Sequence, residues 1–179
     1  MFAAIKTGYY KHPSVERAKA LWAKVEAFQI DEPGAPKPFS ARLAAEQGWT
    51  VKLAMEAIEE YKRFMFLAVS AGHAVTPSAT VDEVWHLHLI YTKSYWEDFC
   101  VNVLDRIIHH EPGNGKEGEK SAFGNQYERT LESYRQFFGE APRAIWGPHN
   151  GHMNVRPRSA PIVDLAPGAD CHDVVKNQT

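Results

Sequence analysis

Imidazole and carboxylate groups crowd into one stretch of this chain. Asp82, Glu83, His86 and His88 stand close together, and His109 and His110 follow further on. Imidazole nitrogen and carboxylate oxygen suit zinc, iron or copper. Asp82 and His86 are four residues apart, so on a helix they share a face and form a workable chelate. His86 and His88 are two apart, which on a regular helix is about 200° around the axis. A strand would aim both at one ion. A helix would do so only by ending or unwinding near His88, and a break expected near Thr92 leaves room for that. Val81, Trp85, His88, Thr92 and Tyr95 line the other face. One of His109 or His110 would come in from the following loop, since adjacent side chains rarely both reach one ion. Three protein ligands plus water would make an open catalytic site, and four a closed structural one.

The candidate metal ligands are therefore Asp82, His86, His88, His109 and His110, with Trp85, Tyr95 and Cys100 walling the pocket or orienting ligands. The expected ion is divalent, zinc or iron. An H-E-x-x-H motif, a much stronger signal, is absent. The opposing reading is structural. Histidines beside Trp85, Tyr91 and Tyr95 would be core residues with hydrogen-bonded imidazoles, and His109-His110 would favour the carboxyl end of a helix through its dipole.

Other chemistries are weaker. Cys100 paired with a histidine would be a nucleophile, but a lone cysteine on an apolar helix face reads as packing. Gly113-Asn-Gly-Lys116 has neither the strand nor the glycine spacing of a phosphate loop, and reads as a surface turn. Nine histidines stand against two cysteines, Cys100 and Cys171, which show no C-x-x-C spacing. A reducing, cytoplasmic setting is expected. The net charge of -2 argues against a partner held as nucleic acid. Trp22, Trp49, Trp96 and Trp146 lack the basic neighbours of a stacking surface and read as core or edge anchors. The longest strongly apolar run, 64–69, is far short of the roughly 20 residues that span a bilayer. No membrane association is expected.

The elements that must position these groups read as helices. Val15, Ala18, Leu21, Trp22, Val25 and Phe28 follow helical spacing behind a Ser14 cap. A Pro-rich loop over 31–38 follows. Ser40 is expected to cap a short helix ended by Gly48. Thr50 caps a longer one, with Leu53, Ala57, Tyr61, Phe64 and Ala68 inward, Glu59, Glu60, Lys62 and Arg63 outward, and Gly72 beyond its end. Thr80-Val-Asp-Glu83 and Ser94-Tyr-Trp-Glu97 read as capping boxes, placing helices near 81–91 and 95–108. A glycine-rich loop over 111–119 leads to a last helix carrying Phe123, Tyr127, Leu131, Tyr134 and Phe138, stopped by Gly139. The fold class is all-α, a single compact bundle of about six helices over 1–148. Residues 149–179 form an irregular Pro-rich tail.

The run Thr76-Pro-Ser, Val81-Asp-x-x-Trp85-His-x-His88, Tyr95, Cys100 and His109-His110-x-Pro112 resembles the glycine-rich domain-containing protein-like family. So do Tyr61-Lys-Arg-Phe, Tyr127-Glu-Arg-Thr-Leu-x-x-Tyr134, Phe138-Gly and Ile145-Trp146. The resemblance covers 39–148. It implies no reaction, but it implies that Asp82, Trp85, His86 and His88 act together. The glycine-rich region of that name has no counterpart here. Two functions follow as expectations. One is a small His/Asp metalloprotein, with metal-bound water or oxygen as its chemistry if it is an enzyme. The other is a non-catalytic interaction module whose histidines lock the core and whose tail, 156–179, is the contact arm. Neither reading names a substrate or a partner protein.

Overall fold

From Glu60 to its end, helix α3 (Val51–Ser70) is buried on nearly every side. Tyr61, Phe64, Met65 and Leu67 are inaccessible to solvent. Burying a large apolar side chain contributes about 1.5–3 kcal/mol, so this helix anchors the rest. The computed structural model describes residues 14–110 and 119–147. Around α3 pack α1 (Val15–Ala27), α2 (Phe39–Gln47), α4 (Ala79–Ile90) and α5 (Glu119–Phe138). A π-helix, Lys93–Val101, packs on α4. The described residues thus form an all-α bundle of six helices without a strand. None of these helices is long and apolar enough to cross a membrane. The proposed tail, the glycine-rich loop at 111–118 and the first 13 residues lie outside the described residues.

Several expected boundaries hold. Ser14 and Thr50 cap α1 and α3 by accepting from Arg17 N and Leu53 N. Gly48, Gly72 and Gly139 end their helices at positive φ, where a side chain would be strained. Three expected caps do not. Ser40 lies inside α2, which starts at Phe39 after Pro38. Its backbone N–H and hydroxyl both donate to the Asp31 carboxylate at 2.8 and 2.6 Å, so Asp31 supplies the missing cap from across the loop. Helix α4 starts at Ala79 because Ser78, held extended after Pro77, accepts from Val81 N. Glu83 then bonds Gln47 instead of closing a box. The expected 95–108 helix is instead a π-helix that ends at Val101. Its backbone bonds reach five residues back, as at its end from Asn102 N to Glu97 O at 3.1 Å. Near its start, Ser94 and Tyr95 both reach α4, bonding His88 and Trp85.

Two charged residues expected outside are buried. Glu60, 3% exposed, accepts from Tyr134 Oη at 2.8 Å, Trp146 Nε1 at 2.7 Å and Arg63. Lys62 donates to Glu26 O at 2.7 Å and to Glu59 at 3.1 Å. Both are tolerated because each charge meets partners. His73 ties the α3–α4 connection to α5. Its Nδ1–H donates to Ala74 O at 2.8 Å, and its Nε2 accepts from Ser133 Oγ at 2.7 Å.

Candidate metal centre

Helix α4 places Asp82 and His86 on one face by the i, i+4 relation, and the chain after the π-helix returns to meet them. The return turns at Asp105, which holds φ 51, a left-handed conformation that Asp tolerates better than most residues. His110 then arrives against α4. Its Nε2–H donates to Asp82 Oδ1 at 2.9 Å, and His86 Nε2 lies 3.9 Å from Asp82 Oδ2. The two imidazole rings sit 4.5 Å apart. One ligand atom from each of Asp82, His86 and His110 lies within 4.8 Å of the other two.

The donor set fits a divalent transition ion. Zinc bonds His N and Asp O at about 2.0–2.2 Å, so ligand atoms around it stand roughly 3.2–3.5 Å apart. The two separations to Asp82, 2.9 and 3.9 Å, lie either side of that spacing, and all three atoms lie within 4.8 Å of one another. Small side-chain rotations would therefore close the set. The Asp82 and His110 side chains are 8% and 6% exposed, while that of His86 is 46% exposed. Two members of the group are thus held by packing and the third faces water, so an ion held there would keep positions open to solvent or a small molecule.

The other expected ligands lie elsewhere. His88 is inaccessible to solvent on the opposite side of α4, ringed by Phe28, Phe39, Tyr61, Tyr95 and Phe99. The helix stays regular through His88, so the angle that separates it from His86 is never undone. Burial lowers its pKa to about 4, which keeps the ring neutral, and burial pushes the Tyr61 hydroxyl well up. Tyr61 therefore donates to His88 Nδ1 at 2.9 Å, and His88 Nε2–H donates to Ser94 Oγ at 3.0 Å. His109 is exposed, its ring 5.6 Å from that of Trp96.

Trp85 and Tyr95 stand behind the triad. The Trp85 ring lies 4.3 Å from that of His110. Trp85 Nε1–H donates to Tyr95 Oη at 2.9 Å, and Tyr95 donates to Ile108 O at 2.6 Å. Burial pushes the Tyr95 pKa up, so this hydroxyl keeps the proton it donates. Cys100 is fully buried beside Tyr95 and the Ile108 backbone, and burial raises its thiol pKa. A buried thiol of this kind packs; it does not attack. The turn at Asp105 and the Ile108 carbonyl were absent from the sequence reading, because only backbone geometry reveals either.

A family model described as UCP032817-like matches residues 29–138, which include the whole triad, and the chain belongs to that family. No curated protein and no solved structure matches the chain.

Proposed function

We propose that this member of the UCP032817-like family binds one divalent transition ion through Asp82, His86 and His110. The observation that carries the reading is the convergence of those three ligand atoms, from two separate chain segments, to within 4.8 Å of one another. One carboxylate and two imidazoles are a donor set that such an ion takes. Bound zinc would bring the pKa of a water ligand to about 7 and supply a nucleophile. Iron(II) with two histidines and one carboxylate suits oxygen chemistry. In either case the chain's own part is the same. Asp82 and His110 hold the ion against the bundle, His86 closes it from the solvent side, and the open positions take a small molecule.

The likeness to the glycine-rich domain-containing protein-like family belongs to this proposal. It is supported by the Val81-Asp-x-x-Trp-His-x-His88 run, which supplies two of the three ligands. The test is elemental analysis of protein purified without chelator, beside Asp82→Ala and His86→Ala. Stoichiometric zinc or iron that disappears in both variants is expected. Wild-type protein that neither carries nor takes up metal overturns the reading.

The non-catalytic alternative keeps one observation in its favour. His88 and His73 are both locked by hydrogen bonds, as a structural histidine motif requires. Its contact arm, 156–179, lies outside the described residues. Under that reading, deleting 156–179 abolishes partner capture without changing the melting transition.

A further inference from the structure

We infer that Tyr95 is the positioning residue of the Asp82–His86–His110 site, its hydroxyl fixing where His110 meets the pair on α4. The inference rests on the metal reading above and adds to it a residue that acts only through others. Asp82 and His86 share one helix and need no further alignment. His110 has no such help, since it follows the π-helix and the left-handed turn at Asp105.

Two contacts, to Trp85 and Tyr95, register that returning segment, beside the His110–Asp82 bond itself, the His109–Trp96 ring contact and the backbone bond from Arg106 N to Cys100 O. The His110 ring packs on Trp85 at 4.3 Å. Tyr95 Oη donates to the carbonyl of Ile108, just before His110, at 2.6 Å. The same oxygen accepts from Trp85 Nε1 at 2.9 Å. Helix α4, the π-helix and the His110 segment are therefore joined at a single atom. Trp85, Tyr95 and Ile108 are all inaccessible to solvent, so no water replaces that oxygen if it is removed. A phenylalanine at 95 keeps the ring and its packing and deletes only the junction. Next to Tyr95 in the chain, Ser94 bonds His88, so adjacent residues of the π-helix hold two positions of α4.

The test is a cobalt(II) titration of the full chain, read by equilibrium dialysis and by the visible absorption of the bound ion. Wild type is compared with Tyr95→Phe and with Tyr61→Phe. The second variant deletes another fully buried tyrosine hydroxyl, one that bonds His88 and leaves Ile108 untouched. A merely structural role predicts similar behaviour from both. Groups that orient metal ligands are worth about 10–100-fold in affinity, so Tyr95→Phe should weaken cobalt binding at least about tenfold and alter its absorption. Tyr61→Phe should stay within about twofold of wild type, outside the range expected of such orienting groups. If either variant is partly unfolded, the series is run in sucrose, which favours the compact state. Cobalt binding by Tyr95→Phe that equals wild type, or losses that match in the two variants, overturns the positioning role and leaves the metal site standing. Wild-type protein that takes up no cobalt removes the site and this role together.

Discussion

Replacing His88 by alanine separates a ligand from a core residue. The imidazole fills a ring of aromatic side chains whose centroids lie 5.3 to 6.1 Å away. Its removal leaves a cavity, for which comparable truncations cost about 2–4 kcal/mol. The substitution also strands the Tyr61 hydroxyl, which is wholly buried and loses its acceptor, for about 1–3 kcal/mol more. Ser94 is only half-buried and finds water instead. The expected loss is about 3–7 kcal/mol, a large share of the roughly 5–15 kcal/mol that holds a typical domain folded.

The proton linkage of His88 gives the same residue a second signature. Its imidazole takes a proton near 6.5 when unfolded and only near 4 when folded. Between those values the unfolded chain binds more protons, so stability falls as the pH falls from 6.5 towards 4 and this contribution then levels off. Each pH unit between the two values is worth about 1.4 kcal/mol, which bounds the contribution at about 3 kcal/mol. Urea unfolding of wild type and His88→Ala, at neutral pH and again near pH 5, measures both effects. The wild type should lose more stability on acidification than the variant. Folded His88→Ala should still carry metal. A stability loss below about 1 kcal/mol, a variant with the wild-type pH dependence, or a folded variant without metal would refute the core assignment.

Two further outcomes concern the scaffold. Glu60→Ala strands the Tyr134 hydroxyl and the Trp146 indole N–H, both buried, and should lower stability by about 2–6 kcal/mol in a denaturant titration. Metal content per folded chain should not change, since Glu60 lies outside the triad. At Asp105, glycine should leave stability within about 0.5 kcal/mol of wild type, because it reaches positive φ freely. Valine at the same position should cost about 1–2 kcal/mol, and an indifferent valine variant would contradict the left-handed turn.

Local signals in the sequence located the helices well and their junctions poorly. The apolar stripe of α3, the Ser14 and Thr50 caps and the glycine stops act over a turn or two, and they are legible in a single chain. Ser40, Thr80 and Ser94 carried equally plausible capping patterns and none caps a helix, because Asp31, Ser78 and His88 respectively change what each start requires. Glu60 and Lys62 looked like a solvated face, since their buried partners come from distant segments or from backbone carbonyls.

For the site, helical angles alone already divided Asp82 and His86 from His88. The residues could not choose between His109 and His110. That choice depends on the turn at Asp105 and on the Tyr95–Ile108 bond, both products of tertiary structure. The π-helix was equally hidden, because its sequence offers an ordinary helical pattern.

The neighbours His109 and His110 provide the most direct test of the metal site. They share a residue type and a chain position, yet only His110 reaches Asp82, while His109 lies on Trp96 at the surface. Equilibrium dialysis against zinc should give one bound ion per chain in wild type and in His109→Ala, and none at the same free zinc in His110→Ala. Equal losses in the two variants, or a wild type that binds no zinc, would contradict the account.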